Sequence, residues 1–441
     1  MTPLWLGVVA DDVTGAVDLA AAVTSAGLCT VVRLGPPSPD ASMPACDCAV
    51  VALTTRTAAV ERAVRESLAA ARWLLGHGAR VLYQKYCSTF DSTDAGMIGP
   101  VADALADLGQ GRAIGTPATP AVGRTLYQGH LFVGDRLLSE SSLRDHPLTP
   151  MRDPDLVRVL GRQTTRKVGL IRLADVRAGS AAVTARLREL RRNGVGHVLA
   201  DALEDTDLDV LARALLAEEA GRPTLPALAP PDDRPLVVGG AAGLAAALAR
   251  LRTSHPTDGP VVAPDVEAGP ALIVSGSCSD RTREQVARHP GPSLRLSAPD
   301  LARDLDGSVA RAGDFLRTVW RNDPTAVPLI SSTADPETVR AEQAKVGPHR
   351  ATALVEQALA DVARRAVLEL GARRLIVAGG ETSGAVTAAL AIDTLQLTDV
   401  VAPGLAWAVG TGQRTPRVAV LLKSGNFGAP DLFTTAWETC P

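Results

Sequence analysis

Residues 4–27 read LWLGVVADDVTGAVDLAAAVTSAG. The apolar run at its start has the length of a buried strand, and it ends in two carboxylates, Asp11 and Asp12. The residues that follow carry apolar side chains at helical spacing and stop at Gly27. A strand that feeds a helix in this way is the repeating unit of a parallel, doubly wound sheet. The unit recurs on either side of acidic and glycine-rich turns. CTVVRLG reads as a second strand and CDCAVVALTTRT as a third. The helix AAVERAVRESLAAARWLLGHG follows, then a fourth strand, ARVLYQKYCST. GVGHVLADALE and PLVVGGAAGLAAALAR continue the pattern. In such sheets ligands sit outside the carboxyl ends of the strands. Asp11, Asp12, Thr54, Thr55, Lys85, Ser88, Thr89 and Asp201 all fall at those ends.

At 441 residues the chain exceeds one ordinary core, since a domain takes about 100–200 residues. A stretch rich in proline and glycine, RTSHPTDGPVVAPDVEAGP, marks the boundary. It predicts a first domain over 1–250, a linker over 251–269 and a second domain over 270–441. Beyond it ALIVSGSCSDRTREQVARH, RRLIVAGGETSGAVTAAL and PRVAVLLKSGNFGAPDLF restart the strand–turn pattern. The expected fold is α/β in two domains. Each is a mostly parallel sheet flanked by helices, with a ligand cleft between them.

Composition excludes several classes. Hydrophobic residues make up 46% and charged residues 21%, as in globular proteins, while aromatics are only 3%, so aliphatic side chains build the cores. A net charge of −3 gives no reason to expect nucleic acid or an anionic membrane as partner. There are six cysteines and no CxxC pair. Cys46-Asp47-Cys48 hints at metal, but no histidine or second cysteine pair follows at ligand spacing. These are read as reduced thiols of a cytoplasmic protein. The N-terminus lacks the basic region of a signal peptide, and no run of about 18 apolar residues occurs. Homo-oligomerisation stays open.

Three kinds of motif carry chemistry. ADDVTGA, residues 10–16, sets two carboxylates before a helix, where they can bond sugar hydroxyls, take a proton or hold Mg²⁺. An ordinary helix cap would look the same. SGSCS (275–279), GGETSG (379–384) and KSGNFG (423–428) each follow an apolar strand. Small residues and free amides at a helix start suit phosphate. One such turn is weak evidence; three in one domain are not. Neither a P-loop nor a Rossmann fingerprint is present. The third motif is YQKYCSTFDST, residues 83–93, which holds Lys85, one of only four lysines among 45 basic residues. A compact ammonium is not interchangeable with the arginine fork. GRTLYQGHLFVGDRLLSES (123–141) adds Arg124 and His130 on an expected hairpin, HLFVGDRLL. Arg124 could grip a carboxylate, and His130 could bond a substrate oxygen or act as a base.

Taken in order, ADDVTGAVDLA, YQKYCSTFDST, GRTLYQGHLFVGDRLLSESSLRDHPLTPM, LIVSGSCSDRT, GGETSGAV and LKSGNFG resemble the four-carbon acid sugar kinase family, closest to its 3-oxo-tetronate branch. The resemblance implies an acid-sugar-binding domain followed by a nucleotide-binding domain. It also implies ATP with Mg²⁺ as cofactors and phosphorylation of the C4 hydroxyl of a four-carbon sugar acid. Asp12 would orient or deprotonate that hydroxyl. Asp11, Lys85, Ser88, Thr89, Arg124 and His130 would face the substrate. Ser275, Gly276, Ser277, the loop Gly379, Gly380, Glu381, Thr382 and Ser383, then Lys423, Gly425 and Asn426 would hold the nucleotide. The metal ligands do not follow from the motifs. Many family members have aspartate where this chain has Cys87. A threonate or erythronate kinase and, from another class, a non-catalytic sugar-acid sensor are the competing readings. If Asp12 were not the base, His130, Asp91 or Asp201 would be next.

Overall fold

The structure, a computed structural model, describes residues 4–38, 40–109, 111–145, 149–220, 234–253, 265–402, 404–412 and 415–441. The chain forms two compact units, Met1–Val261 and Val262–Pro441. The first three residues of the expected linker, Leu251 to Thr253, complete the helix Ala242–Thr253. Most of the rest, 254–264, lies outside the described residues, as does His146-Pro147-Leu148 of the family-like string.

Eleven described strands lie in the first unit: β1 Leu6–Ala10, β2 Thr30–Leu34, β3 Cys48–Ala52, β4 Val81–Lys85, β5 Ala113–Thr116, β6 Arg124–Tyr127, β7 His130–Val133, β8 Arg136–Leu137, β9 Lys167–Ile171, β10 Val195–Ala200 and β11 Leu236–Gly240. Eight make a parallel layer in the order β2-β3-β1-β4-β11-β5-β10-β9. Parallel strands need crossovers, and the intervening helices supply them. All five residues of β1, β3, β4 and β11 are buried, as expected for strands covered on both faces. Ala10 pairs with Ala52 on one side and Lys85 on the other. That register brings the residues after β1, the residues after β3 and the end of β4 to one edge.

The expected hairpin exists as β7 and β8, joined through Gly134. An unforeseen β6 pairs with β7 as well. Their link, Gln128-Gly129, has φ of 50° and 75°, which fits a two-residue turn whose twist matches the strands. Asp201, at the end of β10, ties this turn down. Its carboxylate accepts from the amides of Gln128 (2.9 Å), Gly129 (3.0 Å) and Leu173 (3.0 Å). Asp201 is wholly buried and occupied with structure, which removes it as an alternative base.

The second unit holds β12 Ala271–Ser275, β13 Ser293–Arg295, β14 Leu329–Ser331, β15 Arg374–Ala378, β16 Thr394–Ala402, β17 Leu405–Thr411 and β18 Val418–Lys423. Their order is β13-β14-β12-β15-β18-β17-β16. The first five are parallel, and β17 runs antiparallel to both neighbours. The carboxyl ends of β12, β15 and β18 are therefore adjacent. Trp407 packs beneath them with Ile376, Leu421 and Phe433, its Nε1 donating to the Ala436 carbonyl at 2.8 Å. No helix among the described residues is long and apolar enough to cross a membrane.

Removing the Asp201 carboxylate strands three amides at once. Asp201→Ala should cost about 3 kcal/mol or more in urea unfolding, since each hydrogen bond to a charged acceptor contributes roughly 1.5–3 kcal/mol. A loss below about 1 kcal/mol would show that water replaces the carboxylate at the turn.

Candidate active site

The edge of the first unit is organised by a residue the motifs did not single out. Arg56, four residues past β3, donates from Nε to Asp11 Oδ2 at 3.1 Å and from Nη2 to Asp11 Oδ1 at 2.9 Å. The same Nη2 lies 2.8 Å from Asp12 Oδ1. The Asp11 main-chain carbonyl accepts from the amides of Thr55 and Arg56 at 2.9 and 3.2 Å, so the two strand ends are also sewn together through backbone. Asp11 is buried, and burial pushes its pKa up against the opposing pull of Arg56. Burial acts against the Arg56 charge too, but Asp11 and Asp12 outweigh it and hold the guanidinium charged. A signal for Arg56 existed in the sequence. It is the basic residue within TTRT, at a strand end that must face the two aspartates.

Asp12 caps the helix Val13–Ser25, accepting from the Gly15 amide at 2.9 Å through the same Oδ1 that meets Arg56. Its Oδ2 has no protein hydrogen-bond partner among the described residues. Lys85 is only 2% exposed, and its ammonium donates to the Tyr86 carbonyl at 3.1 Å. Asp12 and Lys85 crowd the same glycine: a Cβ on Gly15 would lie 2.3 Å from Asp12 Oδ1 and 2.9 Å from Lys85 Nζ. Asp18 lies three residues past Gly15 on the same helix face. Burial raises its pKa, Lys85 lowers it and Asp12 raises it. Nothing in the motifs distinguished Asp18 from any other helix aspartate.

The loop after β4 spends its hydroxyls internally. Thr89 Oγ1 donates to Asp91 Oδ1 at 2.6 Å, which leaves the Cys87 thiol to donate to Thr89 Oγ1 at 2.9 Å. Burial and Asp91 push the Cys87 thiol up to about 11, so it stays protonated and is no nucleophile. Ser88 lies in the turn itself. Arg124 and His130 stand further along the edge. Leu126 pairs with Ala202, just past β10, which is four strand spacings or roughly 19 Å from β1. Arg124 donates to the Val122 carbonyl, and its Nε is buried without a partner among the described residues. His130 Nδ1 donates to the Gln128 carbonyl at 2.9 Å, which leaves Nε2 as the ring nitrogen without that partner.

In the second unit the three glycine loops interlock. A Cβ on Gly276 would sit 2.1 Å from Thr382 Oγ1, and one on Gly425 would sit 2.5 Å from Ser277 Oγ. Gly379 has φ of 125°, open to glycine, and precedes the helix Gly380–Ala389. The first amides of that helix, Gly380, Glu381 and Thr382, point out of its start without intrahelical acceptors. Ser275 and Ser383 do not offer their hydroxyls outward. Ser275 Oγ lies 2.8 Å from Thr333 Oγ1, which donates onward to the Ser277 carbonyl at 2.8 Å, and Ser383 Oγ donates to the Gly379 carbonyl at 2.7 Å. Thr333, Ser279 and Thr282 are further loop-forming residues that the motifs did not assign. Lys423 is 1% exposed, and its ammonium donates to Thr282 Oγ1 at 2.9 Å and the Gly425 carbonyl at 3.1 Å. Ser279 Oγ and Thr282 Oγ1 reach the same carbonyl at 2.6 and 2.7 Å. Asn426 is exposed at the loop tip. This cradle of glycines, hydroxyls, free amides and one cation fits a nucleotide's phosphates. Among the described residues no cluster of three or more histidines, cysteines or carboxylates could hold a metal alone. Mg²⁺ is compatible with that, because it usually takes phosphate oxygens and water with one or two carboxylates. Glu381, exposed in the first turn of the helix, offers one.

Comparison with known proteins agrees with this division. Residues 6–248 match a family model described as a sugar-binding N-terminal domain, and residues 272–433 match a nucleotide-binding C-terminal domain. A 3-oxo-tetronate kinase of Methylobacterium radiotolerans is 46% identical over 99% of both chains. One of Burkholderia multivorans is 45% identical over 98% of this chain and 96% of its own. The chain belongs to the four-carbon acid sugar kinase family. It is thus a phosphotransferase rather than a non-catalytic sensor. Among solved structures, a protein of Salmonella typhimurium LT2 matches with a TM-score of 0.88 and 36% identity over 99% of both chains. A Haemophilus influenzae protein matches with a TM-score of 0.80 and 34% identity, covering 98% of this chain and 99% of its own.

Lys423 gives this kinase a titratable test of its phosphate cradle. Burial, helped by Arg281, lowers its pKa from the ordinary 10.5 to about 8. Between those values the unfolded chain binds more protons than the folded one, so wild-type stability gains as pH rises through this window. Lys423→Met cannot make that gain. Urea unfolding at pH 8 and pH 10 should show the difference in stability moving in favour of the wild type. An unchanged difference would mean that the ammonium is solvated in the folded protein.

Proposed function

We propose that this kinase transfers the γ-phosphoryl group of ATP to the C4 hydroxyl of 3-oxo-tetronate, with the sugar acid on the first unit and the nucleotide on the second. The observation that carries the reading is Asp12. One of its oxygens is fixed by Gly15 and Arg56, and the other is open at the carboxyl edge of a sheet where ligands bind. Full-length likeness to several 3-oxo-tetronate kinases supports the choice of acid.

The residues divide the work as follows. Asp12 Oδ2 accepts a hydrogen bond from the C4 hydroxyl, aims its lone pair at phosphorus and takes the proton as the new P–O bond forms and the bond to the ADP oxygen breaks. Lys85 keeps a compact positive charge beside that carboxylate. Arg124 offers a guanidinium fork to an anion further along the same edge. Ser88, Thr89 and the Nε2 of His130 offer further polar contacts, with Thr89 acting chiefly through loop shape. Gly276, Gly379 and Gly425 let backbone approach the phosphates, and the amides of Gly380, Glu381 and Thr382 point toward them. Ser275, Ser277 and Ser383 shape these loops, Asn426 stands at the tip, and Lys423 adds charge. ATP would supply the phosphoryl group, and Glu381 would help hold a Mg²⁺ ion whose charge would offset that of the phosphate oxygens. Catalysis of this kind rests on positioning and charge rather than on a covalent intermediate.

ADP release should be followed with 3-oxo-tetronate, threonate and erythronate at matched concentrations. The highest kcat/KM is expected with 3-oxo-tetronate, and phosphorus–proton NMR of the product should couple phosphorus to the C4 methylene. Faster turnover of threonate or erythronate would reassign the substrate. ADP release no faster with any acid than without would overturn the acceptor class.

A further inference from the structure

We infer that Arg56 is a positioning residue for phosphoryl transfer: its guanidinium, locked by Asp11, presents Asp12 with Oδ2 alone facing the acceptor hydroxyl. The inference rests on the sugar-acid kinase reading above and adds to it the group that aims the base.

Asp12 lies two residues past the end of β1, where a short side chain could adopt several rotamers. One hydrogen bond and one ion-pair contact restrict it. The Gly15 amide at 2.9 Å and Arg56 Nη2 at 2.8 Å both converge on Oδ1. A carboxylate held twice through one oxygen is left with the other for substrate. The guanidinium is itself immobile. Its Nε and Nη2 make a paired contact with Asp11 at 3.1 and 2.9 Å, and its own amide is tied to the Asp11 carbonyl at 3.2 Å. Asp11 has a side chain only 5% exposed, so it cannot swing away to release Arg56. One nitrogen, Nη2, serves both carboxylates, a geometry that a lysine ammonium on a flexible stem does not reproduce. Asp11 therefore acts through Arg56 and need not touch the sugar acid. Placing the first aspartate of ADD, Asp11, in the structure rather than in the substrate contact also explains how two adjacent carboxylates coexist at a buried strand end.

A purely structural Arg56 would only neutralise buried Asp11. Two variants separate that role from positioning. Arg56→Lys keeps a charge but loses the planar fork. The double variant Arg56→Met with Asp11→Asn removes both charges, so no buried charge is left unpaired. For each, the melting temperature, kcat and the KM for ATP are measured with the acid that the wild type turns over best. In Arg56→Lys, kcat should fall about 10²-fold, the scale expected for a reacting group displaced by an ångström, with the KM for ATP unchanged. The double variant should regain wild-type melting temperature yet keep the low kcat. Recovery of kcat together with stability in the double variant would overturn positioning. So would Arg56→Lys within threefold of wild type. A wild type inactive on every four-carbon acid would instead remove the functional reading itself, which keeps the two failures distinct.

Discussion

The arginine fork at the end of β3 is the interaction on which the first unit's chemistry depends. Asp11 and Asp12 lie side by side at the mouth of a buried strand. Without a cation, burial would protonate one of them or drive them apart. Arg56 satisfies Asp11 with two hydrogen bonds and Asp12 with an ion-pair contact, and Lys85 supplies the second positive charge from the neighbouring strand. The result is a charge-compensated edge with one carboxylate oxygen open. Parallel register makes this possible: Ala10 is flanked by Ala52 and Lys85, so the groups that follow each strand must meet.

The second unit solves a different problem with different means. Phosphates need donors at short range and no side chains in the way. Three adjacent parallel strands end in glycines packed so closely that a methyl group would overlap Thr382 or Ser277. Hydroxyls of Ser275, Ser279, Thr282, Thr333 and Ser383 are spent on loop carbonyls and on one another, which makes the cradle rigid before a ligand arrives. Preorganised donors lose little on binding. Lys423 is buried in this network and is held by a hydroxyl and a carbonyl.

Much of this was legible in the sequence, for physical reasons. Strand–helix alternation with buried apolar runs leaves few alternatives to parallel α/β architecture, and the phosphate-type loops announce themselves by glycine after a strand. The role of single polar side chains was less legible. Asp11 and Asp12 look equivalent in ADDVTGA, and only the fold shows one locked and the other half open. Arg56 is 44 residues from Asp12, so no local spacing relates them. Thr89 and Ser275 read as ligand hydroxyls but face their own loops, because buried turns must satisfy their polar groups from within. Asp201 looked like an acid at a strand end, and the unexpected strand β6 explains why it caps a turn instead.

Phosphoryl transfer as proposed turns on Asp12 taking the proton of the attacking hydroxyl. Asp12→Asn keeps the size and, with its amide oxygen on Gly15, the helix cap, but it presents an amide nitrogen that cannot take a proton. Steady-state kcat with the best four-carbon acid, measured beside calorimetric ATP binding, tests it most directly. A fall in kcat of about 10²-fold or more is expected, with ATP affinity and fold unchanged. A folded Asp12→Asn enzyme with near-normal kcat would contradict it.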